Sequence, residues 1–246
     1  MGGKNIKISN GVEKKTQKIS NPVRNKFLSG ANGVKLQFLY SKIKEKEKLF
    51  DLYDEYQWFI DNNFPITLPK FYAKIYQENK NNKKLFIGKL NKEFNKIYNE
   101  NIYQPKTERI KNNWQKMEKK VFNILKRLGL KAKNKYICYI SLYGPLGQFK
   151  CPNIINLRVS SSKDIKEANR TITHELIHLL IYKKAKKLKL NYKQIEGVVD
   201  SFFLETDLKK IFPGYKRQKI AIYRKGIFKK AISPLPRLSR AKPREW

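Results

Sequence analysis

Both histidines of this 246-residue chain fall within five consecutive positions, His174-Glu175-Leu176-Ile177-His178. On a helix, positions i and i+4 lie one turn apart on the same face. Two imidazoles so placed can bind one metal ion, and for zinc the bonds are about 2.0–2.1 Å long. Glu175 then points roughly 100° away from His174 around the helix, so it can approach a water at the metal without being a ligand. Ile172, Leu176, Ile177, Leu179, Leu180 and Ile181 surround the motif and make the helix a core element. Imidazoles beside a core need polar partners, and a metal supplies them. The plainer alternative is two surface histidines that happen to flank a glutamate.

A catalytic zinc needs a third protein ligand and one open position. With no third histidine in the chain, that ligand is a carboxylate or a cysteine. Downstream of His178 the acids are Glu196, Asp200, Glu205, Asp207 and Glu245. Glu196 sits at the edge of an apolar stripe formed by Ile195, Val198, Val199, Phe202 and Phe203, so its carboxylate can turn toward the core. Asp200 follows one turn later on the same face. It is the substitute ligand, or it accepts a hydrogen bond from the outer nitrogen of a ligating imidazole. Glu205 falls on roughly the opposite face and is expected in solvent.

These residues need elements to hold them. Leu49, Phe50, Leu52, Tyr53, Tyr56 and Phe59 include helical spacings, so a helix is expected within 35–62, ended by Pro65 and Pro69. Residues 70–104 read as helical, interrupted by the Asn/Lys run 79–84. Ile110, Trp114, Met117, Val121 and Leu125 predict one helix from Thr107 to Leu128, with Gly129 as its stop. Tyr136 to Leu142 reads as a strand, Tyr143 to Gly147 as a turn and Ile154 to Val159 as a second strand. A long helix follows from about Lys163 to Lys187, with Ser161 and Asp164 as its capping pair. Asn191 with Gln194 caps one more, running to about Lys210 before Pro213.

His174-Glu175-x-x-His178 followed by Glu196-x-x-x-Asp200 on the next helix resembles the gluzincin group of metallopeptidases, the thermolysin-like and minigluzincin-like enzymes. The resemblance covers roughly Tyr136 to Phe212. It departs from the commonest pattern at Ile195 and Gly197, where the family usually has Ser or Asn beside the third ligand. It implies one zinc ion per chain, held by His174, His178 and Glu196, with Glu175 as general base to the zinc-activated water and Asp200 orienting a histidine. It also implies an oxyanion stabiliser, for which Tyr215 and Tyr223 are candidates by position. An edge strand before the zinc helix, here Ile154–Val159, would take an extended peptide or protein substrate by strand addition. The fold class expected is α+β, a zincin-like catalytic region (small sheet, zinc-binding helix, glutamate helix) behind a mainly helical N-terminal half. In residue ranges this gives a flexible basic arm over 1–30, a mainly helical region over 31–130, the catalytic region over 131–214 and a basic tail over 215–246.

Other classes stay open. Peptide deformylases share the helix motif but use an upstream cysteine, and neither Cys138 nor Cys151 has the Gly-Cys-Leu setting of that family. Two cysteines cannot make a disulfide framework or a four-thiol zinc site. The net charge is +35, and only ten of the 55 basic residues are arginine. Codon bias of an AT-rich genome accounts for such lysine enrichment, whereas a functional account is attraction to nucleic acid or an anionic surface. The two basic arms, with Tyr223, Phe228 and Trp246 interspersed, could contact phosphates and stack bases. In that reading the protein is nucleic-acid-associated or regulatory, and its zinc domain is accessory or structural. No membrane span is expected, and no apolar signal stretch follows Met1, so the expected location is the cytoplasm.

Overall fold

The computed structural model describes residues 35–232. The expected arm 1–30 and the tail beyond Ile232, with Trp246 and Glu245, lie outside the described residues. The chain enters through strand β1 (Lys35–Leu39), and five helices follow: α1 (Lys42–Asp61), α2 (Tyr72–Asn79), α3 (Lys83–Ile97), α4 (Glu100–Gln115) and α5 (Glu118–Arg127). Strands β2 (Lys135–Ser141), β3 (Gly147–Lys150) and β4 (Ile154–Arg158) come next. Helices α6 (Ser162–Lys187), α7 (Tyr192–Glu205), α8 (Leu208–Ile211) and α9 (Lys225–Ile232) complete a mixed α/β structure. Among the described residues no helix is long and apolar enough to cross a membrane.

The caps that delimit the two site helices are those legible in the sequence. Ser161 and Asp164 form a reciprocal capping box at α6, and Asn191 and Gln194 form one at α7. Two expected helices are broken. The stretch Thr107–Leu128 is split between Gln115 and Glu118. The break brings the Glu118 carboxylate to the Trp114 indole N–H (2.9 Å) and the Leu36 backbone N–H (3.3 Å). Ile110, Trp114, Val121 and Leu125 still enter one core across it, so the apolar periodicity conceals the break. The helix expected to run to Lys210 ends at Glu205, because Thr206 turns extended and its hydroxyl donates to the Phe202 carbonyl while accepting from Leu208 N–H.

The sheet order is β1-β2-β4-β3, with β1–β2 and β2–β4 parallel and β3–β4 antiparallel. Two of these strands are too short to carry a strong periodic signal. β1 was hidden in an apolar stretch read as helix, and β3 begins in the segment read as a turn. The strand at Ile154 is therefore interior, not an edge as expected, and the edge beside α6 is β3. One face of the sheet carries Tyr136, Cys138, Ile140, Ile155 and Leu157 into a core shared with α4, α5, α6, α7 and α9. A second core, with Leu49, Leu52, Tyr72, Phe86, Leu90 and Phe94, belongs to α1, α2 and α3. The packing thus does not divide at residue 130, since β1, α4 and α5 belong with the sheet. Each such buried large apolar side chain contributes roughly 1.5–3 kcal/mol.

The two cores are joined at the end of β2. Glu45 of α1, only 3% exposed, accepts from Ser141 Oγ (3.1 Å), Leu142 N (3.0 Å) and Tyr143 N (3.2 Å). Burial raises the Glu45 pKa, and the neighbouring Lys48 ammonium opposes that rise. Gly144 adopts φ +91°, and a Cβ there would meet the Lys48 Cε at 2.5 Å, so this turn requires glycine. Thr67 and Gly144 exchange backbone hydrogen bonds on the other side (Thr67 N–H to Gly144 O, 3.1 Å; Gly144 N–H to Thr67 O, 2.6 Å). The turn that launches β3 is therefore held by the helical half. Glu45→Ala removes the acceptor of the Leu142 N–H and the carboxylate that offsets the burial of the Lys48 ammonium, and is expected to lower unfolding stability in denaturant by roughly 2–4 kcal/mol. A loss well under ~1 kcal/mol would mean that water replaces the carboxylate.

Candidate metal centre

Helix α6 is anchored at its start by Asp164. Its carboxylate accepts from Ser160 N (2.9 Å) and Ser160 Oγ (2.7 Å) and pairs with Arg158 at the end of β4 (3.2 Å). From there the helix carries His174, Glu175 and His178 past the edge of the sheet. The Nε2 atoms of His174 and His178 lie 3.0 Å apart. Glu196 of α7 spans both, with Oε2 at 3.2 Å from His174 Nε2 and Oε1 at 3.3 Å from His178 Nε2. Tetrahedral zinc bonds of about 2.0–2.1 Å place ligand atoms roughly 3.3–3.4 Å from one another, so the spacing fits one ion. Two imidazole nitrogens and one carboxylate are also a donor set that suits zinc. His178 and Glu196 are buried at 4% and 3% exposure, while His174 is more open. Burial pushes the Glu196 carboxyl upward, but hydrogen bonds from both imidazoles outweigh it and hold the group well below the usual carboxylate range.

Glu175 stands beside this cluster on the sheet side. Gly147, the first residue of β3, packs so closely that an added Cβ would lie 2.5 Å from Glu175 Oε1 and 2.5 Å from Thr171 Cγ2. Burial pushes the Glu175 carboxyl up to about 7; His174 opposes this, Glu196 adds to it, and Lys48 opposes it from the far side of the turn. A carboxyl so tuned can both accept and release a proton near neutrality.

The imidazole planes are set by aromatic packing. Phe149 of β3 stacks on His178 at 4.9 Å and 9°. His174 faces Phe203 at 6.2 Å and 23°, and Phe203 stacks on Tyr215 at 4.1 Å and 2°. The buried Nδ1 of His178 has no hydrogen-bond partner among the described residues.

Asp200 is fully buried but does not take the expected bond from a histidine. Its Oδ1 accepts from the Tyr215 hydroxyl (2.6 Å) and its Oδ2 from the Gln218 backbone N–H (2.9 Å). The segment after α8, and not an imidazole, supplies the two donors this carboxylate accepts from. Tyr215 consequently spends its hydroxyl on Asp200 and does not aim it at the cluster. Tyr223 lies apart, its ring beneath the Arg217 guanidinium at 4.8 Å and its hydroxyl on Glu205, which is exposed as expected. Cys138 is buried in the sheet and Cys151 exposed, and neither joins the cluster.

Two residues at the centre went unread in the sequence. Tyr192, 47% exposed in the first turn of α7, stands beside Glu196, and partial burial with the Glu196 and Glu175 carboxylates raises its phenol pKa. The i, i+4 spacing from Tyr192 to Glu196 was available as a signal. Gln218 donates from Nε2 to Glu196 Oε2 at 2.7 Å. It comes from an irregular segment, where no periodicity could point to it.

No protein-family model matches the chain, and no curated protein or solved structure shows significant similarity to it. The geometry makes its own prediction. His174→Ala, His178→Ala and Glu196→Gln should each weaken zinc binding at least ~100-fold in chelator competition, whereas Glu175→Gln should leave it within a few-fold. Equal affinity across all four variants would remove the cluster as a metal site.

Proposed function

We propose that this protein is a zinc-dependent metallopeptidase with a gluzincin-like centre in a zincin-like region. The observation that carries the reading is the convergence of His174, His178 and Glu196 within one ion's reach, with Glu175 buried alongside and tuned near neutrality. Bound there, zinc would supply a Lewis acid that acidifies a water and polarises a carbonyl. The chain's own residues account for the rest. Glu175 takes the proton from the attacking water and returns it to the leaving amine, which balances the hydrolysis of one peptide bond. Of the tyrosines, Tyr192 is the one whose hydroxyl stands at the centre, so it takes the oxyanion role expected of Tyr215 or Tyr223.

An extended peptide is the substrate favoured by the edge strand. Among the described residues β3 pairs on one side only, with β4, and it brings Gly147 and Phe149 directly against Glu175 and His178. A peptide added antiparallel or parallel to that free edge would run past the reacting groups. The reading includes a cytoplasmic location, where Cys138 and Cys151 would remain thiols.

The net charge of +35 favours a second reading, in which the centre is structural within a nucleic-acid-associated protein. Elemental mass spectrometry of the purified chain should find about one zinc per molecule. Glu175→Gln should keep that zinc and lose hydrolysis of unfolded protein by roughly 10²–10⁴-fold. Full activity in that variant would end the proposed base role, and metal without any hydrolysis in the wild type would favour the structural reading. Gly147→Ala should also retain zinc but slow turnover at least ~10-fold, because Glu175 must shift to admit the methyl group.

A further inference from the structure

We propose that Gln218 is the fourth ligand of the resting metal centre, its carboxamide oxygen occupying the position that a catalytic zinc otherwise leaves to solvent. The inference rests on the metal reading above.

The end of the Gln218 side chain lies 2.7 Å from Glu196 Oε2 and 3.4 Å from His174 Nε2. The two imidazole Nε2 atoms lie 3.0 Å apart, with Glu196 Oε2 at 3.2 Å from His174 and Oε1 at 3.3 Å from His178. These spacings are close to the edges of a zinc tetrahedron, roughly 3.3–3.4 Å, and they set the Gln218 amide beside two of the three candidate ligands. A half-turn of the carboxamide exchanges Nε2 for Oε1 without moving the chain, and the oxygen is the amide's metal-binding atom. The nitrogen serves when the carboxylate is the neighbour to be satisfied, and the oxygen serves when a cation lies between them.

The side chain is not there by chance of an exposed loop. Its own backbone N–H is fixed on the fully buried Asp200 at 2.9 Å, and the Tyr215 hydroxyl holds the same carboxylate at 2.6 Å. Beyond it, Ile222 N–H donates to the Lys193 carbonyl at 2.8 Å. At Gly197 an added Cβ would overlap the Ile222 carbonyl, so the strap lies directly on the backbone of α7. Residues 215–222 are thus tied down on both sides of Gln218, and a buried acid is committed to holding them. This gives Asp200 a positioning role distinct from orienting a histidine: it aims Gln218.

An amide oxygen is a neutral donor and adds no charge to the centre. It would withhold the fourth position from water in the resting centre, and would have to give that position up before a water there could be activated for Glu175. Three full-length proteins test the idea by chelator competition for zinc: wild type, Gln218→Ala and Gln218→Glu. The backbone bond to Asp200 survives both substitutions, and circular dichroism checks the fold. Gln218→Ala should bind zinc at least ~10-fold more weakly, and Gln218→Glu should restore the affinity or exceed it. In the cobalt-loaded wild type, the side-chain amide protons absent from the Gln218→Ala spectrum should be shifted far outside the ordinary amide region. Unchanged or tighter zinc binding in Gln218→Ala, with His174→Ala still defective, would overturn the ligand role alone and leave Gln218 a hydrogen-bond donor to Glu196. Unchanged binding in His174→Ala as well would overturn the metal reading and this inference together.

Discussion

The carboxylate of Glu196, buried between two imidazoles, is the contact around which the rest is arranged. A carboxylate at 3% exposure is costly unless every lone pair is matched. Here His174, His178 and Gln218 all converge on it. That requirement presses the first half of α7 against the middle of α6. It also draws the strap after α8 back over the same spot. The apolar stripe of α7, with Val198, Val199, Phe202 and Phe203, supplies the packing energy that holds this polar junction closed.

The surroundings fix orientation by two different means. Each imidazole faces one phenyl ring, Phe149 on His178 and Phe203 near His174, so their planes are set by dispersion and quadrupole contacts. The strap is held by charge-assisted hydrogen bonds to Asp200. Each arrangement frees the other. Because stacking aligns the rings, the buried acid is available to hold the segment that carries Gln218.

The helical half contributes at a distance. Glu45 and Thr67 clamp the turn at 141–144, and the turn sets where β3 begins. Gly147 then touches Glu175 and Phe149 covers His178. A carboxylate in α1, some 130 residues before the motif, therefore helps decide the seating of the proposed base. Lys48 belongs to the same link, because its buried ammonium is felt by both Glu45 and Glu175.

The pairing of His174 with His178 was legible in the sequence alone, because its geometry is local. An i, i+4 pair on a helix is a fixed distance apart whatever else folds, and the capping boxes at Ser161 and Asn191 mark where both helices start. Glu196 was legible one step further on, as the acid at the edge of an apolar stripe. Periodicity could not resolve β1 and β3, which are five and four residues long, nor the breaks at 116–117 and 206–207, which leave the apolar stripe intact. Nor could it show that Asp200 is claimed by Tyr215 and Gln218, that Tyr223 lies elsewhere, or that β4 is interior and β3 is the strand beside α6. Those outcomes depend on which groups meet across tens of residues of intervening chain. A hydrogen bond to a buried acid goes to whichever donor the packed chain brings within about 3 Å, and only the tertiary structure decides that.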